Sequence, residues 1–379
     1  MTSMINLPFS RYPAQLEIVF SERCNHRCDY CWVDKSCFKV LKFSDIQKAV
    51  DIFIDIPVLE QTITFTTCEP FIFPDLYKKT VNYIYKQSRN KKMTLVTTTN
   101  GLNFNKDMRR FVFDKMRAHD AFTLNISLDG RKDSHDAHRK LSRDSRASAF
   151  DLSWKNFKDL PREKVRLIST ITPSEVPYFR ENIDFILSNG FTKFDIFPQV
   201  FMLWPQALLN EFKEKLESFI GCINKESVTV EDLRVLNRLW CGTHYGKLLF
   251  GCDAKFYLFE WAQCLPYEAR KEYIIGDIKK GVNLEKRLKL FSGLFSKGIM
   301  KTDAACLSCE QKHMCFFPLP LFMWCGYHKK DFKPYFNNFC RLAKIFINLS
   351  RQIKEDKRND VDAQKLCLDK RNKEIKKGR

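Results

Sequence analysis

An α/β chain built on a parallel sheet, followed by a second, cysteine-rich region, is predicted by three observations. Short runs of β-branched and aromatic residues alternate with helical patterns through the first two hundred residues. A turn or polar segment follows each run, as a βαβ chain requires. Most of the fifteen cysteines gather in two places, one near residue 24 and one between residues 241 and 340. Together these predict a partial (β/α)6 barrel of the TIM-like type with a cysteine-rich appendage.

The strands expected in order are Gln15–Phe20, Thr62–Thr66, Met93–Thr98, Phe122–Ser127, Val165–Thr170 and Lys193–Phe197. Helices are expected between them at Ser44–Ile54, Pro74–Ser88, Lys106–Ala118 and Val176–Ser188, the last stopped by Gly190. Residues 1–200 form the barrel in this reading. Residues 201–240 form a helical bridge, with Leu208–Ile223 amphipathic, and residues 241–345 form the cysteine-rich unit. Residues 346–379 form a basic tail, helical or disordered.

Composition narrows the class. The 44% apolar content, including 34 Phe, is ample for a core in 379 residues. The densest apolar run, Phe316–Cys325, is interrupted by Pro318 and Pro320 and is too short to span a bilayer. The start of the chain carries no apolar stretch of the signal-peptide kind, so its cysteines are expected reduced and the cytoplasm is the expected compartment. The formal charge is +19, and residues 341–379 hold thirteen Lys/Arg against six Asp/Glu. Such a surface can attract nucleic acid or an acidic peptide, or it can be a solvated face.

The most informative segment is Cys24-Asn-His-Arg-Cys28-Asp-Tyr-Cys31. Three thiolates with no near fourth can hold three irons of a 4Fe-4S cluster and leave the last iron open for a ligand. A zinc knuckle would need a fourth ligand at close spacing, and Cys37 lies in a plain polar stretch. With Tyr30 just before the last cysteine, the run resembles the CxxxCxΦC loop of the radical S-adenosylmethionine (SAM) enzymes. The resemblance implies a cluster that chelates SAM and cleaves it reductively to a 5′-deoxyadenosyl radical.

Three further segments continue the resemblance. Thr67-Cys68-Glu69-Pro70 is similar to the family's GGEP segment, with Thr67 and Cys68 in place of both glycines. Glu69 is implied to meet the SAM amino group, and Cys68 reads as a core thiol. Thr98-Thr99-Asn100-Gly101 is similar to the TNG turn and brings Asn100 to the cofactor. Ser127-Leu-Asp129-Gly130 with His135-Asp136 and Arg139 resembles the SLDG…HDxxR block. That implies Ser127 and Asp129 near the SAM ribose and Arg139 near its carboxylate, a fit for a bidentate fork. His135 and His138 read as surface or capping residues.

The second cysteine group comprises Cys241, Cys252, Cys264, Cys306, Cys309, Cys315, Cys325 and Cys340, enough ligands for two more clusters. Cys306-Leu-Ser-Cys309-x5-Cys315 resembles the core of the SPASM extension, with Cys264-Leu-Pro and Tyr273–Ile278 similar to its hairpin and turn. Phe259 replaces the family's glycine before the hairpin cysteine, and Leu319 stands where a cysteine is expected. By analogy one auxiliary cluster takes Cys241, Cys252, Cys264 and Cys325. The other takes Cys306, Cys309, Cys315 and Cys340. A zinc-holding unit of the same topology is the alternative. Cys222 is expected in the core and Cys367 in the tail.

The resemblance covers roughly residues 14–345 and implies hydrogen abstraction from a peptide or protein, with electrons from a flavodoxin or ferredoxin. Maturation of a ribosomally made peptide is the leading expectation, and Phe191, Phe194, Phe197 and Phe316–Trp324 are candidates to flank the mouth. A formylglycine-forming sulfatase maturase is disfavoured because Leu265 replaces the aspartate of that branch. No small leader-binding domain is expected before the first strand. A radical SAM sugar dehydrogenase and a nucleic-acid-binding metalloprotein are the other readings, the latter leaving Glu69-Pro70 and the Ser127–Arg139 block unexplained.

Overall fold

A computed structural model of the chain describes residues 12–88, 91–142, 146–224, 232–235, 247–299, 309 and 319–350. Six parallel strands follow the sequence closely: β1 Gln15–Ile18, β3 Glu60–Phe65, β4 Lys92–Thr99, β5 Phe122–Ser127, β7 Val165–Ile171 and β8 Lys193–Pro198. Between β1 and β3 lies the short β2, His26–Cys28, and between β5 and β7 the short β6, Arg139–Leu141. The helices Phe43–Ile54, Pro74–Gln87, Lys106–Ala118 and Phe179–Ser188 cover the sheet, each burying one apolar stripe. Local chemistry sets their starts: the Asn105 side chain accepts from Met108 N at 3.0 Å, and the Ser148 side chain caps Ala149–Phe157 by accepting from Asp151 N at 3.0 Å.

The parallel run is longer than the sequence predicts. Residues Asp232–Val235 form β9 beside β8, so the expected helical bridge holds helix Gln206–Asn224 and then a strand. Lys247–Phe250 form β10, which pairs parallel with β1 at the other edge. At four residues each they are too short to stand out: β10, Lys-Leu-Leu-Phe, does not alternate, and β9, Asp-Leu-Arg-Val, alternates over only four positions. Beyond β10 the sheet turns antiparallel through β11 Lys255–Tyr257, β12 Ile274–Asp277 and β13 Gly281–Val282. The spatial order β13-β12-β11-β10-β1-β3-β4-β5-β7-β8-β9 makes one open sheet that crosses the boundary expected at residue 241.

One apolar core runs with it, from Leu16 and Ile63 through Phe194 to Phe259, Cys325 and Phe346. Phe191 and Phe194 lie fully inside, and Phe197, on the opposite face of β8, is half-buried. The first two therefore pack the core and do not flank a mouth. No helix among the described residues is long and apolar enough to cross a membrane. Residues 351–379 of the basic tail lie outside the described residues.

Candidate functional site: a three-cysteine loop at the C-terminal end of the parallel sheet

Because β1, β3, β4 and β5 are parallel, the segments that leave them emerge at one end of the sheet. After β1 the chain runs to Cys24, Cys28 and Cys31, with Cys28 inside β2. A small antiparallel ladder holds this loop: β2 pairs with β6, placing Cys28 opposite Arg139. Asp29 N donates to His138 O at 3.1 Å, which continues the same contact. The first and fourth motifs are thereby tied together through backbone.

The thiols occupy distinct surroundings. Cys24 accepts from His26 N at 3.5 Å and from the Asn100 side-chain amide at 3.9 Å, while Cys31 is exposed. Burial raises the Cys24 thiol and pushes Cys28 up to about 12, with Arg139 pulling Cys28 back. Lys35 donates to His26 O at 3.2 Å, and although burial disfavours its charge, Cys31, Cys24, Cys68 and Cys28 more than offset that. Sequence gave no signal for this lysine.

Cys68 takes a left-handed backbone, φ 59°, where the related segment has glycine. It is only half-buried as a residue, but its thiol is turned inward beside Cys24, Cys31 and Lys35 and raised well above its usual value by burial. It lies within the site and not in the core away from it.

Glu69 is buried and its carboxylate is already engaged. It accepts from Phe71 N at 3.0 Å, Thr99 Oγ1 at 2.9 Å and Asn100 N at 2.7 Å. Burial raises it to about 7 in spite of these donors. The side chain therefore braces the β3 and β4 loops against one another. Asn100 reaches back to the cysteine loop, donating to Asn25 Oδ1 at 2.6 Å.

Asp129 and Arg139, expected at two ends of one ligand, bind each other. Arg139 Nε donates to Asp129 Oδ2 at 2.8 Å and Nη2 to Oδ1 at 3.0 Å. Asp129 also accepts from Tyr30 OH at 2.5 Å and from Thr170 N at 3.0 Å. Its carboxyl stays below the usual range although burial alone would raise it, because Arg139 outweighs that effect. The guanidinium lies 5.3 Å from the Tyr30 ring centroid. Four acceptor positions are filled, so the Asp129 carboxylate acts as a strut for Tyr30 and Arg139. Ser127, the last residue of β5, is half-buried. Gly130 is obligatory here: at φ 136°, a Cβ would lie 2.4 Å from the Asn182 side chain.

Both histidines of the block are inside, contrary to the surface reading. His135 and His26 are buried, 6.2 Å apart in an edge-on contact, and their ring nitrogens find no hydrogen-bond partner among the described residues. Burial lowers His26 to about 3 and His135 to about 4, keeping both neutral. His138 lies between Asp29 Oδ2 at 2.9 Å and Glu175 Oε1 at 3.3 Å. Burial opposes its charge, yet these carboxylates raise it to about 9.

A second layer supports the loops. Glu17 on β1 is fully buried and accepts from Thr66 N at 2.7 Å, Thr67 N at 2.8 Å and Lys247 Nζ at 2.8 Å. Lys247, on β10, also pairs with Glu260, so the C-terminal half reaches the loop that carries Glu69. A charged residue in an expected strand was the only sequence signal for Glu17.

The later cysteines divide. Cys264 feels Cys325, and Cys340 feels Cys309, so the members of each pair lie near one another. Cys252 lies 3.2 Å, sulfur to sulfur, from Cys37. Cys37 itself is buried, although its neighbours Ser36, Phe38, Lys39 and Val40 are exposed. Cys222, expected in the core, is half-buried and accepts from Arg180 Nη1 at 3.9 Å. Cys241, Cys306, Cys315 and Cys367 lie outside the described residues. Leu265 is buried, so no carboxylate directly follows Cys264.

Comparison with known proteins identifies the first half of the chain. Residues 18–177 match the family model described as the radical SAM superfamily, and this segment is a radical SAM domain. A cysteine-type anaerobic sulfatase-maturating enzyme from Clostridium novyi (strain NT) is 30% identical over 154 residues, 38% of this chain and 39% of that enzyme. The match thus spans about two fifths of that relative's length. Among solved structures, native anSMEcpe with bound AdoMet superposes with TM-score 0.62 at 15% identity, covering 89% of this chain and 100% of that one. Streptococcus suis SuiB bound to precursor peptide SuiA gives 0.57 at 14% identity, covering 80% and 71%. At such identities the likeness establishes a shared fold.

The cofactors of such a domain are SAM and a 4Fe-4S cluster, and the donor set here fits them. Among the described residues no three side chains converge on a point as a single ion would need. Cys24, Cys28 and Cys31 lie on one loop, and each of the first two feels the third electrostatically, which suits ligands to different irons of one cube.

Proposed function

We propose that the chain is a radical SAM enzyme that acts on a peptide or protein, most specifically in maturing a ribosomally made peptide by crosslinking, thioether formation or epimerisation. The observation that carries this reading is the convergence of the Cys24/Cys28/Cys31 loop, the Thr67–Pro70 segment, Asn100 and Ser127 at one end of a parallel sheet. In this reading Cys24, Cys28 and Cys31 hold the cluster, whose open iron supplies reductive cleavage of SAM. Cys24 is further fixed by Asn100, and Arg139 and Tyr30 shape the floor on Asp129. The protein's own work is to orient the reacting groups and keep water away.

Peptide as the substrate class is supported by two neighbours of the same fold whose structures contain peptide: anSMEcpe with the Cp18Cys peptide, and SuiB with SuiA. Trp324, half-buried and 5.6 Å from the Phe201 ring, offers an aromatic wall, with Trp261 6.0 Å beyond Phe201. Cys264 with Cys325 and Cys309 with Cys340 would each contribute to an auxiliary cluster, and a flavodoxin or ferredoxin would supply electrons.

Formylglycine formation is a second reading, favoured by the 30% identity to the Clostridium novyi maturase. The buried Leu265 after Cys264 weighs against it. The experiment is anaerobic incubation of reduced, reconstituted protein with SAM and candidate peptides, following 5′-deoxyadenosine and peptide mass. Peptide-dependent 5′-deoxyadenosine with a mass change other than conversion of cysteine to formylglycine supports the first reading. Formylglycine supports the second, and turnover of a free sugar without peptide turnover overturns both.

A further inference from the structure

Cys37 and Cys252 meet in a seam that belongs neither to the three-cysteine loop nor to the later cysteine pairs. Residues 32–41 leave Cys31 and run along the C-terminal half as a strap. Trp32 packs on Trp261 with ring centroids 4.3 Å apart, Asp34 N donates to Gln263 O at 2.8 Å, and Tyr267 N donates to Ser36 Oγ at 2.7 Å. Cys37 N donates to Glu22 Oε2 at 2.7 Å, and Glu22 is held by a buried pair with Arg270. Cys252 sits in the tight turn between β10 and β11, closed by Ala254 N donating to Gly251 O at 3.0 Å. Both partners are therefore on anchored backbone, and both are nearly inaccessible, at 4% and 5% exposure.

The separation selects the chemistry. A sulfur–sulfur distance of 3.2 Å is short for two thiolates on one zinc, which Zn–S bonds of about 2.3 Å in a tetrahedron would hold about 3.8 Å apart. No third ligand converges on the pair among the described residues. Coupling to a disulfide requires the sulfurs to close to about 2.05 Å, an approach of about 1.2 Å.

We propose that Cys37 and Cys252 form an oxidative modification site, taking a small neutral oxidant, hydrogen peroxide, and closing to a disulfide. One thiolate attacks peroxide, is oxidised to the sulfenic acid and releases hydroxide. The second thiol then displaces the sulfenic oxygen as water, and the S–S bond forms. In balance, two thiols and one peroxide give one disulfide and two waters. The bond joins positions 215 residues apart and fixes the strap behind Cys31 to the C-terminal extension of the sheet. The proposal does not rest on which substrate the enzyme modifies.

The test uses the full chain, purified anaerobically, treated with one equivalent of peroxide, alkylated under denaturing conditions and digested with trypsin without reductant. Cleavage after Lys35 and Lys39 isolates Cys37 on residues 36–39, and cleavage after Lys247 and Lys255 isolates Cys252 on residues 248–255. The expected result is a linked 36–39/248–255 species, two hydrogens lighter than the sum of its parts, abolished by reductant and more abundant than any other crosslink. Cys252→Ser removes it and Cys222→Ser leaves it. Recovery of both peptides alkylated while other cysteines oxidise overturns the proposal, as does Cys37 linked to Cys24, Cys28 or Cys31. The wild-type map decides by itself should a variant fail to fold.

Discussion

Arg139 grips Asp129 with two parallel hydrogen bonds of 2.8 and 3.0 Å, beneath the loop that presents Cys28. Both residues are buried, and the pair joins β6 to the end of β5. Removing one partner leaves an uncompensated charge in a low-dielectric setting. Arg139→Ala is therefore expected to lower unfolding free energy by about 3–5 kcal/mol. The double variant with Asp129→Ala should recover much of that. Denaturant titration of the single and double variants checks it, and a stable Arg139→Ala protein would show that the pair is not a strut.

Glu69 carries a pH signature. Its folded value of about 7 lies above the ordinary carboxylate value of 4.5 because burial disfavours its charge. A raised acid stabilises fully below its unfolded value and loses that contribution as pH climbs through the folded one. The apoprotein should therefore lose stability between pH 4.5 and about 7, and Glu69→Gln should flatten that part of the profile. Thermal unfolding across the range measures it.

His138 acts in a neighbouring window. With its folded value raised to about 9 from 6.5, the stability it contributes is complete below pH 6.5 and lost by about 9. His138→Gln should remove the decline on the alkaline side. An unchanged slope between those limits would mean that Asp29 and Glu175 do not hold an imidazolium.

The metal content separates the two cysteine groups. Reconstituted wild type should carry about twelve irons, four for each of three clusters. Replacing Cys24, Cys28 and Cys31 with alanine should leave about eight and abolish SAM cleavage. Zinc bound in place of iron by the anaerobic protein would reassign Cys264, Cys309, Cys325 and Cys340 to a structural metal.

Much of the first half was legible in the chain. All six expected strands lie within three residues of those observed at either end, because a parallel sheet buried on both faces leaves compact β-branched runs between helical patterns. The cysteine loop was legible because three thiolates at fixed local spacing are a short-range signal. What failed depended on distance. His135 and His138 look like polar helix residues, and packing against distant partners buries them, His135 against His26 and Phe150 and His138 against Tyr30, Thr172 and Glu175. Cys37 and Cys252 carry no joint signature across 215 residues.

By itself the sequence determined where the six strands lie along the chain, the loop that can carry three irons, and the positions of Asn100, Ser127 and Gly130 at or just after the ends of their strands. Those are local properties, set by side-chain periodicity, turn chemistry and spacing along one backbone. The tertiary structure decided how the polar groups spend their hydrogen bonds. It gave Glu69 to the β4 loop, Arg139 to Asp129 and Lys247 to Glu17 and Glu260, and it put Cys252 against Cys37. A buried polar group must find a partner wherever the fold supplies one, and which partner arrives is fixed only when distant strands come into register.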